Sequence, residues 1–187
     1  KARQLVERGI EVDELVPLIG DLLIGAEQER LRMRTAEFTG LGVPDELAGR
    51  AAALLDSFSL LDVVEIAATT SLPAREVAAV YFAISERIEV DRMLPRITLL
   101  PRGDRWTALA RSALRYDLYA ALAGLTTNVL TSTDSDGSPA ERIAAWEEAN
   151  REGVTRAQGT LEEIVNQESF DLATLSVALR TIRTLLR

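Results

Sequence analysis

The stretch RWTALARSALRYDLYAALAGLTTNV, residues 105–129, carries the strongest helical pattern in this 187-residue chain. Apolar residues recur there at intervals of three and four over about seven turns, the spacing that places side chains on one side of an α-helix. The members of the pattern are Trp106, Leu109, Ala110, Ala113, Leu114, Leu118, Ala121, Leu122, Leu125 and Val129. The stretch predicts one long amphipathic helix packed against other helices. Trp106 is expected to be a buried anchor, whose replacement by Ala costs about 3–5 kcal/mol.

The rest of the chain also favours helix. Ala, Leu, Glu and Arg are frequent, and valine and isoleucine rarely fall in the strict alternation of a half-buried strand. Proline and glycine divide the chain into about seven or eight helical pieces. We therefore predict an all-α fold, a multi-helix bundle.

Capping residues predict three helix starts. Ser138, Pro139 and Glu141 combine a capping serine, a proline at the first helical position and a glutamate three residues after the cap. The helix that they open is expected to reach Val165, with glycines 153 and 159 as weak points. Asp104 and Asp171 are expected to cap the long helix and the last helix through their carboxylates.

Two starts are expected in the preceding part of the chain. Pro44 stands where a helix would begin, and Leu47 is expected to face inward. Ser59 is expected to cap a separate helix over residues 60–70, with Asp62 in a position compatible with a capping box. Between the long helix and Ser138, the polar stretch TSTDSDG at residues 131–137 is expected to be a loop.

The last helix carries a seam of apolar residues at intervals of three and four. Its members are Leu172, Leu175, Leu179, Ile182 and Leu186. This spacing predicts that the last helix packs along the long helix at residues 105–129.

The positions of proline and glycine suggest three segments. Residues 1–40 are expected to form N-terminal helices, residues 41–103 a subdomain of short helices, and residues 104–187 the long-helix bundle, with 41–187 forming one compact domain. Within the first segment, residues 1–8 are expected to be the tail of a helix that begins upstream, and residues 13–38 one or two helices. The opening KARQLVERG has neither an initiator Met nor an export signal, and the chain is expected to be a piece of a longer protein.

Composition excludes several classes of chemistry. The chain contains no cysteine and no histidine, so it cannot supply a thiolate nucleophile, an imidazole base or a Cys/His zinc site. No glycine-rich phosphate loop and no metal-ligand spacing occurs. A formal net charge of −8 disfavours nucleic acid and anionic membranes. We therefore predict no catalytic, cofactor-binding or metal-binding residue in this chain.

One pattern leaves an alternative open. Ala67, Ser71 and Val77 have the spacing of the small, turn and buried branched residues of a helix-turn-helix, within a packing unit near residues 60–89. The alternative function is therefore a DNA-binding regulatory domain. Arg75 is the one cation near the start of the second helix, so the charge expected of a DNA-binding helix is weak.

Four strings carry a family resemblance that covers nearly the whole chain. They are LLDVVEIA at 60–67, VYFAISERIEVDRML at 80–94, DRWTALARSALRYDLYAAL at 104–122 and FDLATLSVALRTIRTLLR at 170–187. In composition and order they resemble the C-terminal helical region of the large, very long-chain bacterial NAD-specific glutamate dehydrogenases. The block at residues 105–119 is the most specific of them.

The resemblance implies a parent enzyme that oxidises L-glutamate with NAD and water to 2-oxoglutarate, ammonia and NADH, in glutamate catabolism. It implies a cytoplasmic homo-oligomer with NAD bound outside this segment. The family's catalytic site resembles a lysine-and-aspartate constellation beside a dinucleotide fold, and Lys1 is the single lysine here. No site residue can therefore be carried over. The segment is expected to be an inactive structural, assembly or regulatory domain whose partners are the catalytic part and other subunits, not nucleic acid or membrane.

Overall fold

The computed structural model describes residues 26–186 except 102, 135 and 169. These residues form eight helices and, within the described ranges, no strand, so the predicted all-α fold is confirmed. The helices are α1 (Ala26–Gly40), α2 (Asp45–Thr70), α3 (Ala74–Arg87), α4 (Val90–Leu99), α5 (Arg105–Ser132), α6 (Pro139–Ala149), α7 (Arg151–Val165) and α8 (Leu172–Thr184). The predicted helix tail at 1–8 and the start of the predicted helix at 13–38 lie outside the described residues.

The chain divides into two compact units, one up to Ala79 and one from Val80 onward. In the first unit, α1 packs against α2. The predicted segment boundaries after residues 40 and 103 stay predictions.

The separate helix expected over residues 60–70 is wrong, because α2 runs unbroken from Asp45 to Thr70. Serine is only mildly unfavourable inside a helix, and neither Gly nor Pro occurs between residues 50 and 72. Ser59 therefore lies inside a helix instead of capping one. Asp62 is a buried residue of the helix interior and not part of a capping box.

The inward orientation expected of Leu47 is also wrong, since its side chain is 52% exposed. Pro44 precedes the first helical residue. The buried side of this end of α2 carries Ala48 and Ala52, four residues apart and so on one face. Leu47 lies about 100° around the helix from Ala48, which turns it toward solvent.

The predicted caps are confirmed. The Asp104 carboxylate accepts hydrogen bonds from the backbone N–H groups of Trp106 (2.7 Å) and Thr107 (3.0 Å) at the start of α5. Ser138 N donates to Glu141 Oε2 (2.8 Å) and Glu141 N donates to Ser138 Oγ (3.3 Å), which completes a capping box on α6. These bonds join residues two or three apart, so local sequence suffices to specify them.

The Asp171 carboxylate caps α8 by accepting from Thr174 N at 2.8 Å. This hydrogen bond lowers the pKa of Asp171 below its ordinary value, because it stabilises the charged form. The Ser138 hydroxyl lowers the pKa of Glu141 in the same way. A general acid at neutral pH needs a raised pKa, so these shifts fit structural carboxylates.

The second unit is organised around α8, which contacts α4, α5 and α7. The predicted seam along the long helix is confirmed at Leu175, Leu179 and Ile182, which are buried, and is wrong at Leu172, which is exposed at the start of α8. Beyond the end of α8, Leu186 lies so close to Gly124 of α5 that a Cβ atom there would stand 2.9 Å from Leu186 Cδ2. Glycine at position 124 therefore permits the close approach.

The helix that begins at Pro139 ends at Ala149, and a second helix begins at Arg151. The break falls at Asn150, whose backbone leaves the helical region (φ −114°, ψ 19°). Its side-chain amide donates to the Trp146 carbonyl at 2.8 Å, a local bond of the kind with which asparagine competes against helix continuation. The break therefore does not occur at either of the glycines predicted as weak points.

Candidate functional site

An apolar cavity lies in the second unit between α3, α5, α6 and α7. Its lining includes Ile84, Ile88, Leu125, Trp146, Val154 and Leu161. The cavity has a volume of about 20 Å³, which is room for about one water molecule. Arg87 and Glu147, also in the lining, form an ion pair. The cavity is too small for a nicotinamide ring, and its walls have the character of a packed core.

A wider, open depression lies where α6 meets α7. Its volume is about 530 Å³, and it is lined by residues 148–153 with Thr184 and Leu185. Arg151 forms an ion pair with Glu148, and Glu152 adds a second carboxylate. Two carboxylates beside one guanidinium disfavour the pyrophosphate of a dinucleotide.

Arg96 of α4 binds the C-terminal end of α7. Its guanidinium donates to the carbonyls of Ile164 (2.9 Å), Val165 and Gln167 (3.1 Å), and it stacks on the Phe170 ring at 5.0 Å from the centroid. Helix C-terminal carbonyls lack intrahelical partners and carry partial negative charge, so a cation stabilises them. The cluster closes the end of a helix and presents no free anion site.

Arg92, one turn before Arg96, reinforces the same contact by donating to Asn166 Oδ1 at 2.8 Å. Sequence reasoning missed both arginines. Their spacing of four residues on a short helix was the available signal. The carbonyls that they bind lie about 70 residues later in the chain, and no local pattern identifies such partners.

Arg142 of α6 is 1% exposed. Its Nε donates to the Gly137 carbonyl at 3.1 Å and its Nη1 to the Leu130 carbonyl at 3.4 Å. Buried charges require such partners. α5 continues to Ser132, so the loop expected at residues 131–137 begins later than predicted. The buried Arg142 guanidinium binds the end of this loop through the Gly137 carbonyl.

Trp106 is not the buried anchor that the apolar pattern of the long helix predicts, since its side chain is 73% exposed. Leu109 (49%) and Tyr116 (69%) are exposed as well, and so is Ala113. These four residues, hereafter the α5 stripe, follow one another at intervals of three, four and three residues. Trp146 is the buried tryptophan of the second unit, at 4% exposure.

The helix-turn-helix spacing corresponds to a real turn. Ser71 adopts φ 59° immediately after α2, and α3 begins at Ala74. Val77 and Ala78 are fully buried, so this part of α3 cannot contact base edges.

Within the described ranges, no group of three or more acidic side chains is arranged to hold a metal ion. No helix among the described residues is both long enough and apolar enough to cross a membrane. The arrangement offers helix-to-helix contacts and an exposed apolar stripe as its distinctive features.

Comparison with known proteins agrees with the resemblance of the four strings. Residues 5–184 match the family model described as glutamate dehydrogenase, C-terminal. The chain is similar to the NAD-specific glutamate dehydrogenase of Mycobacterium tuberculosis, with 41% identity over 176 residues that cover 94% of this chain and 11% of that protein. It is also similar to the NAD-specific glutamate dehydrogenase of Pseudomonas aeruginosa, with 30% identity over 184 residues, or 98% of this chain and 11% of that protein.

A third relative, the NAD-specific glutamate dehydrogenase of Halomonas elongata, is 29% identical over 164 residues, which are 88% of this chain and 10% of that protein. The chain thus spans about a tenth of the length of the curated relatives that it matches. None of these matches supports the DNA-binding alternative.

Proposed function

Because this chain belongs to the glutamate dehydrogenase C-terminal family, we propose that it is the C-terminal accessory domain of an NAD-specific glutamate dehydrogenase. The whole enzyme converts L-glutamate, NAD and water to 2-oxoglutarate, ammonia and NADH. The helical domain contributes structure and assembly, and the chemistry takes place in the remainder of the longer polypeptide.

The observation that carries the non-catalytic role is the small cavity in the core of the second unit. A volume of about 20 Å³ admits one water, whereas ligand sites ordinarily measure about 300–1,000 Å³. The open depression between α6 and α7 reaches that size, about 530 Å³, but its carboxylates, Glu148 and Glu152, disfavour the pyrophosphate of a dinucleotide. The sequence has no histidine or cysteine and a single lysine, Lys1, so it lacks imidazole bases and thiolate nucleophiles and has one side-chain amine.

The polar side chains of the second unit support the same role. Arg96 and Arg92 close the end of α7, and Arg142 fastens the loop before α6. These guanidiniums hold elements of the domain together. We propose that NAD binds outside this chain, that the whole enzyme is a cytoplasmic homo-oligomer, and that the partners of the domain are the catalytic part and other subunits.

The test compares two proteins: the full-length product of the gene that encodes this chain, and the 187-residue chain itself. NADH formation from glutamate and NAD is followed by absorbance, and NAD binding by calorimetry. We expect turnover by the full-length protein and neither turnover nor binding by the chain. Micromolar NAD affinity of the chain would contradict the non-catalytic role, and a full-length protein without glutamate-dependent NADH formation would contradict the assigned reaction.

A further inference from the structure

We infer that the α5 stripe is a docking surface for the remainder of the same longer polypeptide, an inference that rests on the proposed function. The stripe consists of Trp106, Leu109, Ala113 and Tyr116, as defined above. Its occupant would be an apolar surface of the dehydrogenase part with a carboxylate facing Arg105.

The first argument is that α5 is apolar on two opposite sides. At 3.6 residues per turn, the stripe lies roughly opposite Leu118, Leu122 and Leu125, which are buried. An apolar stripe on a helix normally faces other protein. The side with the three leucines packs within the second unit, whereas the stripe is exposed there.

The second argument is the size of the stripe. Aromatic side chains bury about 150–250 Å² each, so the exposures of Trp106 (73%), Leu109 (49%) and Tyr116 (69%) together amount to on the order of 400 Å² of apolar surface. Contiguous patches of this size on soluble proteins often mark interaction sites. Trp and Tyr are also the residues enriched in interface hot spots.

Size also argues against a second copy of this chain as the occupant. Two stripes facing each other would bury on the order of 800 Å², below the roughly 1,200–2,000 Å² of a stable interface between separate proteins. A surface within the same polypeptide needs less area, because the linkage supplies a high effective concentration. In the relatives that this chain matches, most of the polypeptide lies outside the matched segment.

Charge at the edge of the stripe comes from Arg105. Its guanidinium lies over the Trp106 ring at 5.7 Å from the centroid. Arg111 and Arg115 lie on the other side of α5, where both donate to Thr98 of α4. A partner surface with a carboxylate facing Arg105 would be complementary.

The helix start holds Trp106 in place for docking. The Asp104 carboxylate accepts from the backbone N–H of Trp106, and the Thr107 hydroxyl, which accepts from Asp104 N at 3.2 Å, completes a capping box. The first turn is therefore ordered before a partner arrives, which reduces the entropy cost of binding.

The test is hydroxyl-radical footprinting with peptide-resolved mass spectrometry, applied to the 187-residue chain and to the full-length protein. We expect the modification rates of Trp106 and Tyr116 to fall by about fivefold or more in the full-length protein, because docked side chains lose contact with solvent. Equal rates in the two proteins would overturn the inference. Protection in the chain alone that grows with its concentration would assign the stripe to a second copy and overturn it as well.

Two full-length variants make the test specific. Leu109→Glu places a charge in the stripe, whereas Val177→Glu places one at a position of similar exposure, 52% against 49%, on α8. We expect Leu109→Glu to return the modification rate of Trp106 to that of the chain alone, and Val177→Glu to leave it protected. Protection of Trp106 retained in Leu109→Glu would contradict docking through the stripe.

The same preparations separate this inference from the proposed function. Glutamate-dependent NADH formation by the wild-type full-length protein, together with an unprotected stripe, would overturn the docking surface and leave the proposed function standing. A protected stripe in a full-length protein that does not oxidise glutamate would overturn the proposed reaction, and with it the identity of the occupant.

Discussion

The indole Nε1 of Trp146 donates a hydrogen bond of 2.9 Å to Asn128 Oδ1. The bond joins α6 to α5, and the indole body forms part of the cavity wall with Leu125 and Leu161. Trp146 is thus the anchor that the sequence pattern assigned to Trp106. Its apolar body fills the core while its one donor is satisfied, the usual condition for a buried tryptophan.

The two tryptophans should respond oppositely to truncation. Trp146→Ala is expected to lower the free energy of unfolding of the chain by about 3–5 kcal/mol, since it removes a large buried side chain. Trp106→Ala, the matched control at an exposed position, is expected to cost less than about 1 kcal/mol. Urea unfolding measures both. Equal losses for the two variants would contradict the burial described here.

Asn128→Ala isolates the hydrogen bond from the packing. It leaves the Trp146 N–H without its side-chain acceptor while the indole remains, so we expect a loss of about 1–2 kcal/mol in the same unfolding measurement. Trp146→Phe, which removes the donor and keeps an aromatic body, should make the further change Asn128→Ala nearly neutral. An undiminished effect of Asn128→Ala in the Trp146→Phe background would show that the bond contributes nothing.

Replacement of Arg96, even by lysine, should lower the free energy of unfolding. Arg96→Ala is expected to lower the free energy of unfolding by about 2–3 kcal/mol, because charged hydrogen bonds to the last carbonyls of α7 are lost. Arg96→Lys is expected to recover less than half of this, since an ammonium lacks the planar fork that reaches several carbonyls and stacks on Phe170. Arg156→Ala, at an exposed position of α7, should change stability by less than about 0.5 kcal/mol. A Lys variant as stable as wild type would contradict the multidentate contact.

The α8 cap should make stability depend on pH. The pKa of Asp171 is lowered by the hydrogen bond from Thr174 N. Its ionised form therefore adds stability above the unfolded pKa of about 3.9, and this contribution disappears as the pH falls through the lower folded pKa. Asp171→Asn keeps a capping side chain but removes the titration.

We therefore expect the stability difference between wild type and Asp171→Asn to change in one direction with pH. The advantage of wild type should be greatest near neutral pH and should shrink below about pH 4. Unfolding free energies measured in urea at a series of pH values test this expectation. A difference that grows as the pH falls would contradict it.

Two helical glycines should differ in their response to alanine. Apart from the neighbouring residues and backbone of its own helix, no atom lies within 4 Å of the Cβ that Gly159→Ala would add, so the variant should stabilise the chain by about 0.5–1 kcal/mol through helix propensity. Gly124→Ala brings the same propensity gain, but its Cβ would meet Leu186 Cδ2 at 2.9 Å. We expect a smaller gain there, because the Leu186 side chain must move. Thermal unfolding of the two variants compares them, and a larger gain at position 124 would show that the close approach is absent.

The helix starts could be predicted from local sequence. Asp104, Ser138 and Asp171 each accept a hydrogen bond from a backbone N–H two or three residues later, so the information lies within one turn. The seam at Leu175, Leu179 and Ile182 could be predicted for the same reason, since a period of three and four identifies one face of a helix.

Sequence reasoning failed where a break or a partner was not local. The start expected at Ser59 rested on a capping residue alone, and the unbroken helix 45–70 shows that a capping residue does not end a helix within a stretch free of Gly and Pro, here residues 50–72. Arg96 binds carbonyls about 70 positions later in the chain. The sequence of α4 alone gives no information about which carbonyls these are. The predicted absence of catalytic, cofactor-binding and metal-binding residues stays a prediction.

Local sequence specifies which segments of this protein become helices and where most of them begin, because helix propensity and capping are properties of neighbouring residues. The burial of Trp146 and the exposure of Trp106 follow from tertiary packing. Both stand in apolar patterns of helical period, and a period states which residues share a face without stating which face another helix will cover. That choice depends on contacts between distant parts of the chain, and for the α5 stripe we propose that it depends on a part of the polypeptide beyond these residues.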